Sequence, residues 1–299
     1  MVVKLKSFFK LIRWFHELLA ILPFLGLYLV ITYFVDKDGV SCELSGFNFI
    51  VLCVCVQLLI AAGCVLNDIM DRHIDKINKP QTHIVGNTIS LKGARIIFIV
   101  LTLLIVLLSI YISVYMFVEW AFISVGIYVL SILYDLYLKR SPLFGNVLMA
   151  FLTAFIPLLL LFFAEDCINV LQNEKINLLI YLYAAFPFLI IIPRELSLDI
   201  SDMEGDKADG CKTLPIMIGA KKSKLIVVLL LLFIIALSVP LALNYQYLAV
   251  YCIGIDLLLL LYIFKFRSVE TRIEYIRIGR YLWFVMILGL IGFTVATVL

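Results

Sequence analysis

Charge is what this sequence has least of. Only 15% of its 299 residues are Asp, Glu, Lys or Arg, where a soluble domain carries about a quarter. That scarcity excludes an ordinary water-soluble globule; with 64% hydrophobic residues and a mean hydropathy of +1.13, it points to lipid as the solvent. Histidine is down to three scattered copies, His16, His73 and His83, and the seven cysteines form no CxxC pair. These absences leave no ligand set for zinc or another transition metal. The apolar runs do not alternate in polarity, which excludes a transmembrane β-barrel. The N-terminal stretch MVVKLKSFFKLIRWFHELL lacks a small-residue cleavage site, so it reads as an amphipathic lead-in to a first span and not as a signal peptide.

What the sequence has in quantity is apolar runs of about 20 residues, each able to cross a hydrocarbon core about 30 Å thick. Nine are expected, over 14–35, 47–66, 95–113, 115–134, 146–164, 177–196, 224–244, 247–266 and 278–298. The fold class is therefore all-α: a polytopic membrane protein read as a single domain over 1–299. With this count, 22 of the 24 basic residues fall on one side, leaving only Lys37 and Lys175 on the other. The positive-inside rule makes the basic side and the N-terminus cytoplasmic, in a multi-pass cell-membrane protein. The net charge of +3 is thus a matter of topology and implies no nucleic-acid partner. Cys53, Cys55, Cys64 and Cys252 lie in spans, where small apolar packing is expected. Cys42 and Cys167 fall in outer connections, and a disulfide between them is not the favoured reading.

Against this background the acidic residues stand out. NDIMDRHID, after the second run, carries Asn67, Asp68, Asp71 and Asp75; DISDMEGD, after the sixth, carries Asp199, Asp202 and Asp206. Both read D-x-x-D-x-x-x-D, at a constant offset of 131 residues. On one helix these three positions share a face, and like charges so spaced repel. Divalent cations between the clusters would relieve the repulsion. Oxygen-only ligands favour Mg²⁺ or Mn²⁺, which complete their shell with water and substrate phosphates. Solvated helix ends would explain one such cluster, but not two with identical spacing.

Cations for a phosphate lie nearby. Arg72 is within the first cluster and Lys79 follows it; Arg194, Lys207 and Lys212 flank the second; Lys139 and Arg140 follow the fourth run in YDLYLKRSPLFGN. Taken singly, each is better read as a topology anchor. Together they form a basic rim around an acidic centre, as a metal–pyrophosphate site requires.

NDIMDRHID resembles the N-D-x-x-D-x-x-x-D signature of the UbiA-type intramembrane prenyltransferases, and DISDMEGD their second aspartate-rich motif. The resemblance covers most of the chain, including the Y…LKR…GN segment. It implies nine helices around a central cavity open sideways to lipid. Two Mg²⁺ ions would be held by Asp68, Asp71 and Asp75 and by Asp199, Asp202 and Asp206. The substrates implied are an allylic prenyl diphosphate and a lipophilic acceptor, and no protein partner is expected. By position, Asn67, Lys139 and Arg140 would contact the diphosphate with Tyr134 nearby, and Asp71, Asp202, Lys139 and Tyr134 are the expected catalytic group. Arg72, Lys79, Arg194 and Lys212 complete the substrate-binding set. Tyr134, Tyr137 and Phe186 are candidate faces for the allylic cation.

RELSLDISDMEGDKADGCKTLP resembles the branch that prenylates geranylgeranylglyceryl phosphate, with quinone-pathway members as the alternative. Leu198 stands where that branch often has Lys, and Thr82 and His83 replace an Arg and Pro common after the first motif. An ion-coupled transporter is the reading from another class, since Asp256 sits alone within the eighth run.

Overall fold

In lipid only helices satisfy every backbone N–H and C=O within one segment, and helices are what form. The computed structural model describes residues 2–39, 45–171 and 174–298. In order, the helices are α1 (Val2–Leu11), α2 (Trp14–Lys37), α3 (Gly46–Met70), α4 (Arg72–Asn78), α5 (Leu91–Tyr115), α6 (Trp120–Leu136), α7 (Phe144–Phe163), α8 (Glu165–Leu171), α9 (Glu174–Ala208), α10 (Leu214–Ile218), α11 (Ala220–Asn244), α12 (Gln246–Phe266) and α13 (Arg272–Val298). Among the described residues eight helices are long and apolar enough to cross a membrane: α3, α5, α6, α7, α9, α11, α12 and α13. The segment expected to be the first span is helical along its length as α2. The expected runs fall on helices, but at 116–119 the expected fourth run gives way to the turn between α5 and α6; α1 is the separate lead-in.

The chain divides into two compact units. The first comprises Met1–Ile21, Glu43–Lys139 and Glu204–Gly210; the second comprises Leu22–Cys42, Arg140–Met203 and Cys211–Leu299.

Within the first unit, α3 packs along α5 and α6. Lipid is as apolar as leucine, so such helices associate through close packing and polar bonds. Ala61 and Ala62 of α3 are buried. Tyr111 donates to Asn48 Oδ1 (3.3 Å), Thr102 bonds Tyr128 (2.7 Å), and the buried Trp120 indole donates to Ser109 (3.1 Å). The Ser45 and Ser90 hydroxyls cap α3 and α5 by accepting from Asn48 and Gly93.

In the second unit α11, α12 and α13 pack in sequence. Tyr183 of α9 donates to the Leu290 carbonyl of α13 (2.7 Å) and also bonds Thr294. Tyr251 of α12 donates to the Gly289 carbonyl (2.6 Å). Asp256, which the functional motifs leave unexplained, accepts from Ser238 of α11 (2.6 Å). Cys167 corrects an expectation: it is disulfide-bonded. Cys42, the cysteine with which the sequence could pair it, lies outside the described residues.

Gly289 backs onto the edge of the Phe186 ring so closely that a Cβ there would overlap it. Alanine would gain about 1 kcal/mol of helix propensity against about 1–3 kcal/mol for overpacking. Gly289→Ala is therefore expected to lower the midpoint of thermal unfolding in detergent; a raised midpoint would show that the Phe186 ring yields freely.

Candidate active site

The acidic signature of the first unit starts at the C-terminal end of α3. One continuous helix would put its three aspartates on one face, but the structure breaks the helix at the middle one. Asp68 lies in the last turn of α3, Asp71 is the joint (φ −83°, ψ 4°), and Asp75 lies in α4. Hydrogen bonding runs through the joint, from Asp71 N–H to the Asn67 carbonyl and from Asp75 N–H to the Asp71 carbonyl, both 2.8 Å. In the second signature all three aspartates ride the single helix α9. Equal spacing therefore produces two different local shapes.

Around Asp71 the first unit assembles residues remote in sequence. Lys139, in the 3-10 turn after α6, places its ammonium 2.5 Å from Asp71 Oδ1 and 3.3 Å from Asp135 Oδ1. Asp135, 2% exposed, also accepts from the Asn67 amide nitrogen at 2.8 Å. Arg13, at the break between α1 and α2, reaches Asn67 Oδ1 and Asp68 Oδ1, each at 3.4 Å. It does so from a left-handed backbone (φ 51°), strain that a non-glycine residue keeps only where surrounding contacts enforce it. Lys79 pairs with Asp75 at 2.9 Å, while Arg72 donates to its neighbour His73. Tyr134 sits half-buried on α6 beside Asp135, and Asp206 is half-buried near the end of α9. With Asp135 and Lys139 largely out of solvent, removing one partner of such a pair costs about 3–5 kcal/mol, since the other charge is left uncompensated.

A further contact pins the end of α9 within this unit. The buried Asn78, last residue of α4, accepts from the Gly205 N–H at 3.1 Å. A Cβ at Gly205 would lie 2.5 Å from the Asn78 amide atoms, so the glycine of DISDMEGD is required by close approach.

In the second unit Asn146, near the start of α7, donates to Asp199 Oδ2 at 2.8 Å. Asp202 takes both Nε (3.0 Å) and Nη2 (2.8 Å) of Arg272, the first residue of α13, on one carboxylate oxygen, along with the Ser201 hydroxyl. Arg194 pairs with the adjacent Glu195. The Lys212 N–H donates to the Arg140 carbonyl (2.8 Å), joining those two segments, while the Lys212 side chain is exposed. Leu198, at the expected lysine position, packs against Gly279 of α13.

Sequence reasoning thus named Asn67, Asp68, Asp71 and Lys139, which do converge. It missed Arg13, Asp135, Asn146 and Arg272. Arg13 and Arg272 looked like topology anchors, and Asn146 was one letter of the GN pair. Asp135 alone carried a signal: it stands four residues before Lys139, one helical turn away.

Among the described residues no three acidic, imidazole or thiol groups converge as a closed metal cage. The donors present are carboxylates and one amide oxygen. That set suits Mg²⁺, which binds through one or two carboxylates and takes its other ligands from water and phosphate.

Paired aspartate signatures on apolar helices, each met by cationic side chains, define a membrane enzyme of prenyl transfer. Residues 25–278 match the UbiA prenyltransferase family, and the chain belongs to that family. The chain is 30% identical over 251 residues to digeranylgeranylglyceryl phosphate synthase of Methanobrevibacter smithii, covering 81% of this chain and 84% of that one. Its fold is similar to a solved structure of digeranylgeranylglyceryl phosphate synthase in membranes (TM-score 0.60, 24% identity, 99% of each chain). It is also similar to a UbiA homologue from Archaeoglobus fulgidus bound to GPP and Mg²⁺ (TM-score 0.61, 17% identity, 95% of this chain and 98% of that one).

Inserting a methyl at Gly205 must displace Asn78. Gly205→Ala is expected to destabilise the protein by about 1–3 kcal/mol, read as a lower unfolding midpoint. Asn78→Gly in the same chain should recover part of the loss; no recovery would refute the contact as its cause.

Proposed function

We propose that this prenyltransferase moves a prenyl group from an allylic diphosphate to geranylgeranylglyceryl phosphate, with divalent metal, in ether-lipid synthesis. The observation that carries the reading is Lys139 on Asp71, which joins the aspartate signature to the LKR segment expected to hold a diphosphate. The acceptor rests on the Methanobrevibacter smithii relative and on the R-E-…-D-x-x-D-x-x-G-D-…-T-L-P pattern. An aromatic acceptor of quinone synthesis is the second reading, favoured by Leu198 in place of a lysine. The transporter reading is set aside by family membership.

Asp68, Asp71 and Asp75 with the Asn67 carbonyl would hold one Mg²⁺, and Asp199, Asp202 and Asp206 a second; Mn²⁺ has the same ligand chemistry. The metal supplies charge neutralisation for the departing diphosphate. Lys139, Arg140, Arg72, Lys79, Arg194 and Lys212 are the proposed phosphate cations, and each adds fixed positive charge where the leaving group becomes more negative. Ionisation leaves an allylic cation, for which Tyr134 offers an aromatic face. The acceptor hydroxyl attacks that carbon, the new ether C–O bond replacing the broken bond to diphosphate, and its proton passes to the released diphosphate. The prenyl tail stays in lipid, gaining about 0.8 kcal/mol per buried CH₂.

We take the whole chain as one nine-span catalytic domain with its N-terminus and acidic signatures cytoplasmic, acting without a protein partner. The basic-residue asymmetry supports the orientation. So does disulfide-bonded Cys167 on α8, at the opposite end of α9 from its aspartates, since disulfides persist on the oxidising side of a membrane.

The test is Mg²⁺-dependent transfer in nanodiscs from labelled geranylgeranyl diphosphate, offered separately with geranylgeranylglyceryl phosphate, 4-hydroxybenzoate and a dihydroxynaphthoate. Product with the glycerophosphate alone is expected; product only with an aromatic acid moves the enzyme to the second reading. Asp71→Asn and Asp202→Asn should each abolish transfer while the unfolding transition stays cooperative. Retained turnover in both would sink the metal assignment.

A further inference from the structure

We propose that Asp135 is a positioning residue of the first acidic signature, resting on the metal–diphosphate reading above. Its carboxylate sets which atom Asn67 presents and holds the Lys139 ammonium over Asp71.

An ionised carboxylate only accepts hydrogen bonds. With Asp135 Oδ1 2.8 Å from Asn67, the amide must turn its NH₂ toward Asp135, which leaves the carbonyl oxygen for the other side. There Oδ1 meets a cationic donor, Arg13, and that oxygen is the only part of the amide able to ligate a hard cation. Were residue 135 neutral and able to donate, nothing in this contact would prevent the amide from flipping and offering its NH₂ instead.

The second contact concerns Lys139. A lysine is a point charge on a flexible stem, yet here its side chain is 10% exposed and spans two carboxylates, Asp71 at 2.5 Å and Asp135 at 3.3 Å. The ammonium has three N–H donors; two face these oxygens and one is left for a phosphate oxygen. Asp135 is one helical turn before Lys139 and almost fully buried, so it is the fixed member of the group. Where the Asp71 charge is shared with a cation, Lys139 keeps its anchor on Asp135.

The experiment compares wild-type and Asp135→Asn proteins, full length in nanodiscs. Mn²⁺ binding is followed by electron paramagnetic resonance with a non-reactive prenyl thiodiphosphate, alongside steady-state transfer. Changing such an outer partner lowers metal affinity or activity about 10–100-fold. The Mn²⁺ dissociation constant and the KM for prenyl diphosphate are expected to rise within that range, with a smaller fall in kcat at saturation, and Asp135→Glu should recover part of both. In a Lys139→Met background Asp135→Asn should add little to KM. Unchanged Mn²⁺ affinity and KM in folded Asp135→Asn protein would overturn the inference, as would an undiminished KM penalty without Lys139. Should Asp135→Asn fail to fold, the smaller Asp135→Ser carries the same readouts. A wild-type protein with neither Mn²⁺-dependent binding nor transfer would overturn the functional reading and this inference with it.

Discussion

An ionised carboxylate at the end of an apolar helix must find a donor, because little water is there to solvate it. That requirement organises both units. Asp68 takes Arg13, Asp71 takes Lys139, Asp75 takes Lys79, and Asp135 takes Lys139 and Asn67. Asp199 takes Asn146, and Asp202 takes Arg272. Even Asp256, far from any motif, is met by Ser238. Arg13, Lys139, Asn146 and Arg272 reach Asp68, Asp71, Asp199 and Asp202 across tens of residues of sequence, so compensating these acids also fixes which segments stand together within each unit.

Elsewhere the constraint acts in reverse. With no hydrophobic gain in moving a leucine from lipid to a helix partner, the outward faces of α5 and α11 stay apolar and exposed. The contacts that hold the helices are side-chain hydroxyls and amides, or close approaches at small residues: Tyr183 to Leu290, Tyr251 to Gly289, Trp120 to Ser109. The end of α9 beside Asp206 is likewise held by a polar bond, from Gly205 to Asn78.

Much of this was legible in the chain itself. A run of 20 apolar residues has one low-energy form in a bilayer, so α3, α5 and the others coincide with their expected segments to within a few residues at most ends. The paired aspartates were legible because acidic residues are rare in such surroundings. Other features were not. Spacing alone predicted one continuous helical face for Asp68, Asp71 and Asp75, but the helix is interrupted at Asp71. A disulfide at Cys167 was not the favoured reading, yet Cys167 is bonded, since spacing in sequence does not measure distance in space.

Sequence by itself determined the membrane class, the segments that become helices and the two oxygen-rich signatures, because each follows from local composition and a short period. Tertiary structure decided which cation serves which carboxylate. Arg13 lies 55 residues from Asp68, Lys139 lies 68 from Asp71 and Arg272 lies 70 from Asp202. A lysine or arginine in a basic loop looks the same whether it anchors topology or reaches a carboxylate. Only packing, which sets the few ångströms over which an ion pair forms, separates the two.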